Sequence, residues 1–253
     1  MGGISRRALL VLAGQAVLVS AAAPFVRAAT LAPLFHGSRD TPLIALTIDD
    51  DWSAARVGTI FDTLQRSSVA ATFFPYANAT RSDPGLWRAI TTAGYPYANH
   101  TRSHPWMTRL DRSAQAAEIT EARTILEGMT GTPMLPVFRP PYGAYDAGLF
   151  DVARETGFPT VLMWDTSDGD TSQTPTEAKL VRNAMRGRNG SVLLTHGGPA
   201  LTPVILPTVI GLYKDLGFRF VTVPELLGLT TQDPPDAGPQ APITTRIPGR
   251  IAF

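Results

Sequence analysis

Short apolar runs rich in β-branched and aromatic residues alternate along this chain with stretches of helical periodicity, and that alternation restricts the fold more than any other feature. The runs fall at residues 43–48, 69–75, 95–99, 137–139, 160–164, 191–195 and 218–223, each of strand length. Between them, residues 54–65, 84–93, 113–129, 147–156, 176–186 and 203–216 carry 3.6-type patterning, with end signals such as Asp111 or Ser113 before the third and Gly94, Gly157 and Gly217 after the second, fourth and last. Strand, helix, strand repetition demands parallel pairing through right-handed crossovers, so the chain folds as α/β, either an open doubly wound sheet or a closed barrel. Units of such even length favour a (β/α) barrel of about seven parallel strands. With 44% hydrophobic and 17% charged residues, the 253-residue chain can bury one sizeable core.

The two ends read differently from this body, which spans about residues 38–229. Ser5-Arg6-Arg7 precedes an apolar run over residues 8–24, and the small-residue ending Val26-Arg27-Ala28-Ala29 suits a signal peptidase. The adjacent arginines resemble the twin-arginine export signal of bacteria. Residues 1–28 are therefore expected to be an export signal, with a retained N-terminal anchor as the alternative; cleavage after Ala28 would remove three arginines and no acid and take the net charge from +1 to −2. Nothing else reads as a membrane span, so the exported protein is expected to be periplasmic or secreted without stable membrane insertion. Residues 230–253 hold Asp233-Pro234-Pro235, Gly238-Pro239, Pro242 and Pro248-Gly249 and read as an extended tail.

Lys plus Arg number 22 against 21 for Asp plus Glu, with no basic stripe, which argues against nucleic acid as a partner. The absence of Cys removes disulfides, thiolate ligands and thiol nucleophiles, leaving His, Asp and Glu to hold any metal. In a parallel α/β fold, catalytic groups belong just past the carboxyl ends of strands. His100 and His104 follow the third run and His196 the sixth; Asp49, Asp50 and Asp51 end the first, Arg139 the fourth, and Asp165, Asp168 and Asp170 the fifth. His36 alone stands elsewhere. Two imidazoles four residues apart can reach one ion, and a neighbouring carboxylate would complete a two-histidine, one-carboxylate set with an open position. Zinc is the first expectation, with Co2+ or Mn2+ as substitutes, and ferrous oxygenases use the same facial set. Arg139 reads either as a partner of a functional carboxylate or as a structural ion pair.

These residues carry a family resemblance. Thr47-Ile48-Asp49-Asp50, His100-Thr101-Arg102-Ser103-His104-Pro105, Arg139-Pro140-Pro141-Tyr142-Gly143, Asp165-Thr166-Ser167-Asp168 and Leu194-Thr195-His196 resemble, in order, the five motifs of the polysaccharide deacetylases, the NodB-homology carbohydrate esterases of family 4. The resemblance implies a distorted (β/α) barrel with fewer than eight strands and metal-dependent hydrolysis of an N-acetyl amide or O-acetyl ester on a glycan. Asp50, His100 and His104 would hold the metal, and Asp49 would be the general base. Arg139 and Asp165 would orient and tune that base, the backbone N–H of Tyr142 would face the oxyanion, His196 would be the general acid, and Leu194 would line the acyl pocket. This division of labour suits amide hydrolysis, which needs a nucleophile stronger than neutral water and a proton for the leaving amine.

The sequence departs from the family pattern at Asp51, at Tyr95-Pro96 before the second motif, and at Gly169, which stands where an indole is usual. The last departure leads to the expectation of a wider acyl pocket, unless Trp164 or Trp106 fills the gap. Beside the deacetylase reading stand hydrolysis of another C–N bond, such as a ureide or cyclic amide, and a catalytically silent glycan-binding barrel.

Overall fold

The computed structural model describes residues 32–229; the export-signal and tail expectations lie outside these residues. In chain order the elements are β1 (Leu43–Asp50), α1 (Ala54–Ser67), β2 (Ala71–Pro75), α2 (Ala77–Thr80), α3 (Pro84–Thr92), α4 (Arg112–Thr130), β3 (Val137–Phe138), α5 (Ala147–Glu155), β4 (Thr160–Val161), β5 (Thr166–Ser167), α6 (Glu177–Ala184), β6 (Ser191–His196), α7 (Thr202–Asp215), β7 (Arg219–Phe220) and α8 (Val223–Leu227). The six helices read from periodicity are all present, each within two residues of the expected bounds. Their starts follow the capping chemistry: Asp83, Asp111, Asp146 and Thr176 each accept a backbone N–H from three residues on.

β1 is the central strand. Its apolar run is buried on both faces, as a parallel strand covered by helices requires. It pairs in parallel with β6 along Ile44–Asp49, with β2 along Leu46–Asp50, and with β7 at Leu43 and Ile44. β5 continues the sheet beyond β6, and β3 and β4 form a second, two-stranded sheet. Isolated parallel bridges connect β2 to residue 97 (Phe73 with Tyr97) and residue 99 to β3 (Asn99 with Phe138), while Leu34 and His36 bridge Leu162 and Ser191. The result is a distorted (β/α) barrel in which single bridges, rather than a continuous ladder, link the two sheets.

Three differences from the sequence reading have local causes. The third expected strand, 95–99, is reduced to bridges because Pro96 brings no N–H to the ladder; its carbonyl still accepts from Phe73. The fifth run, 160–164, is shortened to β4, and β5 forms beyond its expected end at Thr166. The seventh ends early, because Thr222 caps α8 with its hydroxyl and turns the chain into a helix at Val223. Ordered pairing also begins at Leu34, a few residues before the expected body.

Candidate active site

The strand ends bring Asp49, Asp50, His100, His104, Tyr142, Leu194 and His196 around one cavity of about 320 Å3, with Trp164, Ser167 and Thr171 also in its wall. Asp49 and Asp50 are adjacent on β1, so an extended backbone would send them to opposite faces. Asp50 and Asp51 instead adopt left-handed backbone, with φ of 66° and 59°. Thr101 (71°), His104 (62°) and Tyr142 (61°) do the same, so five of the six non-glycine residues with positive φ among the described residues sit at or beside this cavity. Each such residue costs on the order of 1–3 kcal/mol and persists only where its surroundings over-determine it.

Those surroundings are visible. Asn99 accepts the N–H of Thr101 on Oδ1, and Thr101 Oγ1 accepts the N–H of His104 at 3.0 Å. Glu118, buried on α4, accepts from the N–H groups of Arg102 and Ser103 and from the Ser103 hydroxyl, at 2.8–3.1 Å. The four-residue histidine spacing is thus realised by a tight loop braced from a helix.

Asp50 Oδ1 lies 3.0 Å from His100 Nε2 and 2.8 Å from His104 Nε2. One ligand atom from each of the three residues falls within 4.8 Å of the others, and the three are the one such cluster among the described residues. His100 Nδ1 lies 2.7 Å from the Arg139 carbonyl, which fixes the ring with Nε2 inward. Burial alone would raise the Asp50 carboxyl, but the bonds and charges of His100 and His104 outweigh it and hold it well below the usual carboxylate range. Two imidazole nitrogens and a carboxylate oxygen, converging with one histidine pinned from behind, fit a divalent cation such as zinc.

Asp49 takes a different partner. Arg139, fully buried, donates from Nη1 to Asp49 Oδ1 at 2.5 Å and to Thr47 Oγ1 at 2.9 Å, while Nε and Nη2 donate to the carbonyls of Leu162 and Met163. Its guanidinium also lies over Phe74, 4.1 Å from the ring centre. Every arm of the fork is used, so the group cannot swing away from Asp49.

His196 pairs with Asp170. Asp170 Oδ1 lies 2.7 Å from His196 Nδ1, and its Oδ2 accepts from the N–H of His196 and from the hydroxyls of Thr202 and Thr195. Burial would lower the imidazole, but the hydrogen bond and charge of Asp170, with the charges of Asp49 and Asp50, push it up to about 9. Burial and the charge of Asp170 raise neighbouring Asp168, which accepts from Thr195 Oγ1 at 2.7 Å.

Two expected positions are not brought to the cavity. Asp165 accepts from Arg39 Nη2 at 2.6 Å, Ser191 Oγ at 3.0 Å and the N–H of Val192 at 3.0 Å. It precedes β5, whose residues pair with Leu193 and Leu194, so it lies level with the N-terminal end of β6, the far end from Asp49. Gly169 is absent from the cavity wall, where Trp164 stands instead. A Cβ on Gly169 would meet Asn183 Nδ2 at 3.3 Å, and its φ of 76° suits glycine for backbone reasons. The wider pocket expected from this glycine is therefore not supported. Asp51 is buried, and neither carboxylate oxygen has a partner; burial, then the charges of Asp49 and Asp50, push it well above the ordinary carboxylate range.

Glu118 and the role of Asp170 were not legible in the sequence. An acid on the inner face of a 19-residue helix gives no spacing signal, and Asp170 is one of three acids within six residues.

This arrangement agrees with comparisons to known proteins. The family model for polysaccharide deacetylase matches residues 36–161. A peptidoglycan-N-acetylglucosamine deacetylase of Bacillus cereus is 28% identical over 189 residues, covering 73% of this chain and 88% of the relative. The one from Listeria monocytogenes is 29% identical over 185 residues, covering 73% of this chain and 39% of the relative, so the chain spans well under half of that protein's length. Among solved structures, a family 4 carbohydrate esterase pseudoenzyme from Bacillus anthracis superposes with a TM-score of 0.73 at 24% identity, covering 78% of this chain and 69% of that one. The chain belongs to the polysaccharide deacetylase family.

Proposed function

We propose that this protein is a metal-dependent hydrolase that removes acetyl groups from N-acetylated sugars of a cell-envelope polysaccharide, with peptidoglycan the foremost candidate and O-acetyl esters or chitooligosaccharides as further substrates. The observation that carries the reading is the convergence of three distinct carboxylate sets in one cavity: Asp50 on two imidazoles, Asp49 on Arg139, and Asp170 on His196. The substrates named for the Bacillus and Listeria relatives support peptidoglycan.

Asp50, His100 and His104 would hold a divalent cation, zinc before Co2+ or Mn2+. Such an ion lowers the pKa of water from 15.7 toward ~7 and polarises a carbonyl. Asp49, fixed by Arg139, accepts the proton of the attacking water. The backbone N–H of Tyr142 faces the oxygen of the acyl carbonyl as negative charge develops there. His196, held protonated and oriented by Asp170, donates its proton to the sugar nitrogen as the C–N bond breaks, so acetate and a free amine leave. Leu194, on β6 opposite Thr47, walls the acetyl methyl. Export to the periplasm or cell surface, expected from residues 1–28, places the enzyme with such a substrate.

A silent glycan-binding barrel is the second reading; the Bacillus anthracis pseudoenzyme shows that this fold also occurs in a family 4 protein described as a pseudoenzyme. The two separate on acetate release: metal-loaded protein incubated with N-acetylated peptidoglycan and chitooligosaccharides releases acetate if it is a deacetylase, and Asp49→Asn and His196→Ala abolish the release. Glycan binding without release would establish the second reading.

A further inference from the structure

Trp52 belongs to none of the roles above, yet it is an exposed indole beside the candidate acid. It is 45% exposed, and its ring centre stands 6.4 Å from that of His196. The ring rests on the backbone of Gly198: a Cβ there would fall 1.7 Å from Trp52 Cε2 and 2.1 Å from Cδ2, so any side chain at residue 198 would displace the indole. Arg56 holds the same turn, donating from Nη1 to the Gly198 carbonyl. The indole is thus seated on glycine backbone, with much of its surface left open to solvent. The other exposed aromatics at the rim differ, because Trp106 and Tyr142 are already stacked on each other at 4.3 Å and Arg109 lies over Trp106.

The chemistry of deacetylation says what belongs next to the acid. His196 must come within about 2.6–3.2 Å of the nitrogen it protonates, and that nitrogen is bonded to the sugar ring, whereas the acyl group lies on the far side of the scissile bond. The pyranose therefore sits on the His196 side of the cavity, and Trp52 stands next to His196, just outside the residues that wall the cavity itself. A pyranose presents an apolar C–H face that suits an aromatic surface, and an amphipathic indole favours one wet and one apolar contact. We propose that Trp52 is the substrate-binding platform on which the sugar bearing the scissile amide stacks. This rests on the deacetylase reading, and it makes the glycan ring, rather than the acyl group alone, a determinant of specificity.

Two readouts test it. The first is the ratio of kcat/KM for N-acetylchitotetraose to that for 4-nitrophenyl acetate, an acetyl ester with no sugar. Trp52→Ala lowers this ratio about 10-fold, mainly through KM, and Trp52→Phe recovers most of it. The second is intrinsic fluorescence during titration with the same tetraose: the wild-type signal shifts and that of Trp52→Phe does not. An unchanged ratio in Trp52→Ala, or a Phe variant no better than Ala, overturns the proposal; if Trp52→Ala does not fold, Trp52→Leu replaces it in that comparison. If wild-type protein releases no acetate from the tetraose, the deacetylase reading fails on its own, and the fluorescence arm still decides whether a sugar stacks on Trp52.

Discussion

Replacing Asp170 by Asn removes one charge and leaves the shape of the side chain nearly intact, which isolates what this carboxylate does to His196. In the wild-type protein the imidazole is raised from 6.5 to about 9, and that difference is worth about 3 kcal/mol between its two protonation states. Because the folded value lies above the unfolded one, the stabilisation is complete below pH ~6.5 and is lost as the pH rises through about 9. Asp170 supplies the first two raising effects, its hydrogen bond and its charge, while Asp49 and Asp50 add smaller ones and burial opposes all of them. Without Asp170, burial is opposed only by those two more distant charges, and His196 falls to near or below ~7, the ordinary histidine range. At pH 8 the protonated fraction then drops from about nine-tenths to about a tenth or less, so the alkaline limb of the rate profile moves to lower pH by about two units. The assay is 1H–15N NMR titration of the His196 ring in metal-free wild type and Asp170→Asn, followed by pH–rate profiles of the loaded enzymes. A ring that still titrates near 9 in the variant would refute the assignment of Asp170 as its partner.

Arg139→Met leaves Asp49 buried without its partner and strips donors from the Leu162 and Met163 carbonyls. It should cost about 3–5 kcal/mol in urea unfolding, and a loss under 1 kcal/mol would contradict the buried ion pair. Asp51→Gly removes a buried carboxylate with no partner from a position at φ 59° and should stabilise the fold at pH 7 by about 1–2 kcal/mol, or ~3–6 °C in Tm. The sign follows from the raised carboxyl: its folded state is favoured below the ordinary value of 3.8 and penalised as the pH rises, so the gain disappears toward pH 4. A lower Tm at pH 7 would show that Asp51 has a partner in solution.

The fold and the Asp50, His100, His104 cluster were legible in the sequence because both follow from local patterning. Alternating strand and helix signals require a parallel architecture, and that architecture sends Asp50, His100 and His104 to one end regardless of side-chain detail. The pairing of acids with bases was less legible. Asp165 and Asp170 are both strand-end acids, and only the two-residue register of β5 against Leu193 and Leu194 sends the first toward Arg39 and carries the second to His196. At Gly169 the sequence left two outcomes open, because a missing side chain does not fix which neighbour turns inward, and it is Trp164 that stands in the cavity wall. The chain's third run reads as a strand by composition, yet Pro96 limits it to bridges while its hydrogen bonds to both neighbours survive.

The most direct test of the metal-dependent reading is a titration of chelator-stripped protein with zinc, following acetate released from an N-acetylated glycan. Activity should rise from background and saturate at one equivalent per chain, and His104→Ala, short of one ligand, should not saturate there. Release that is unaffected by stripping, or no release at saturating zinc, would contradict the account.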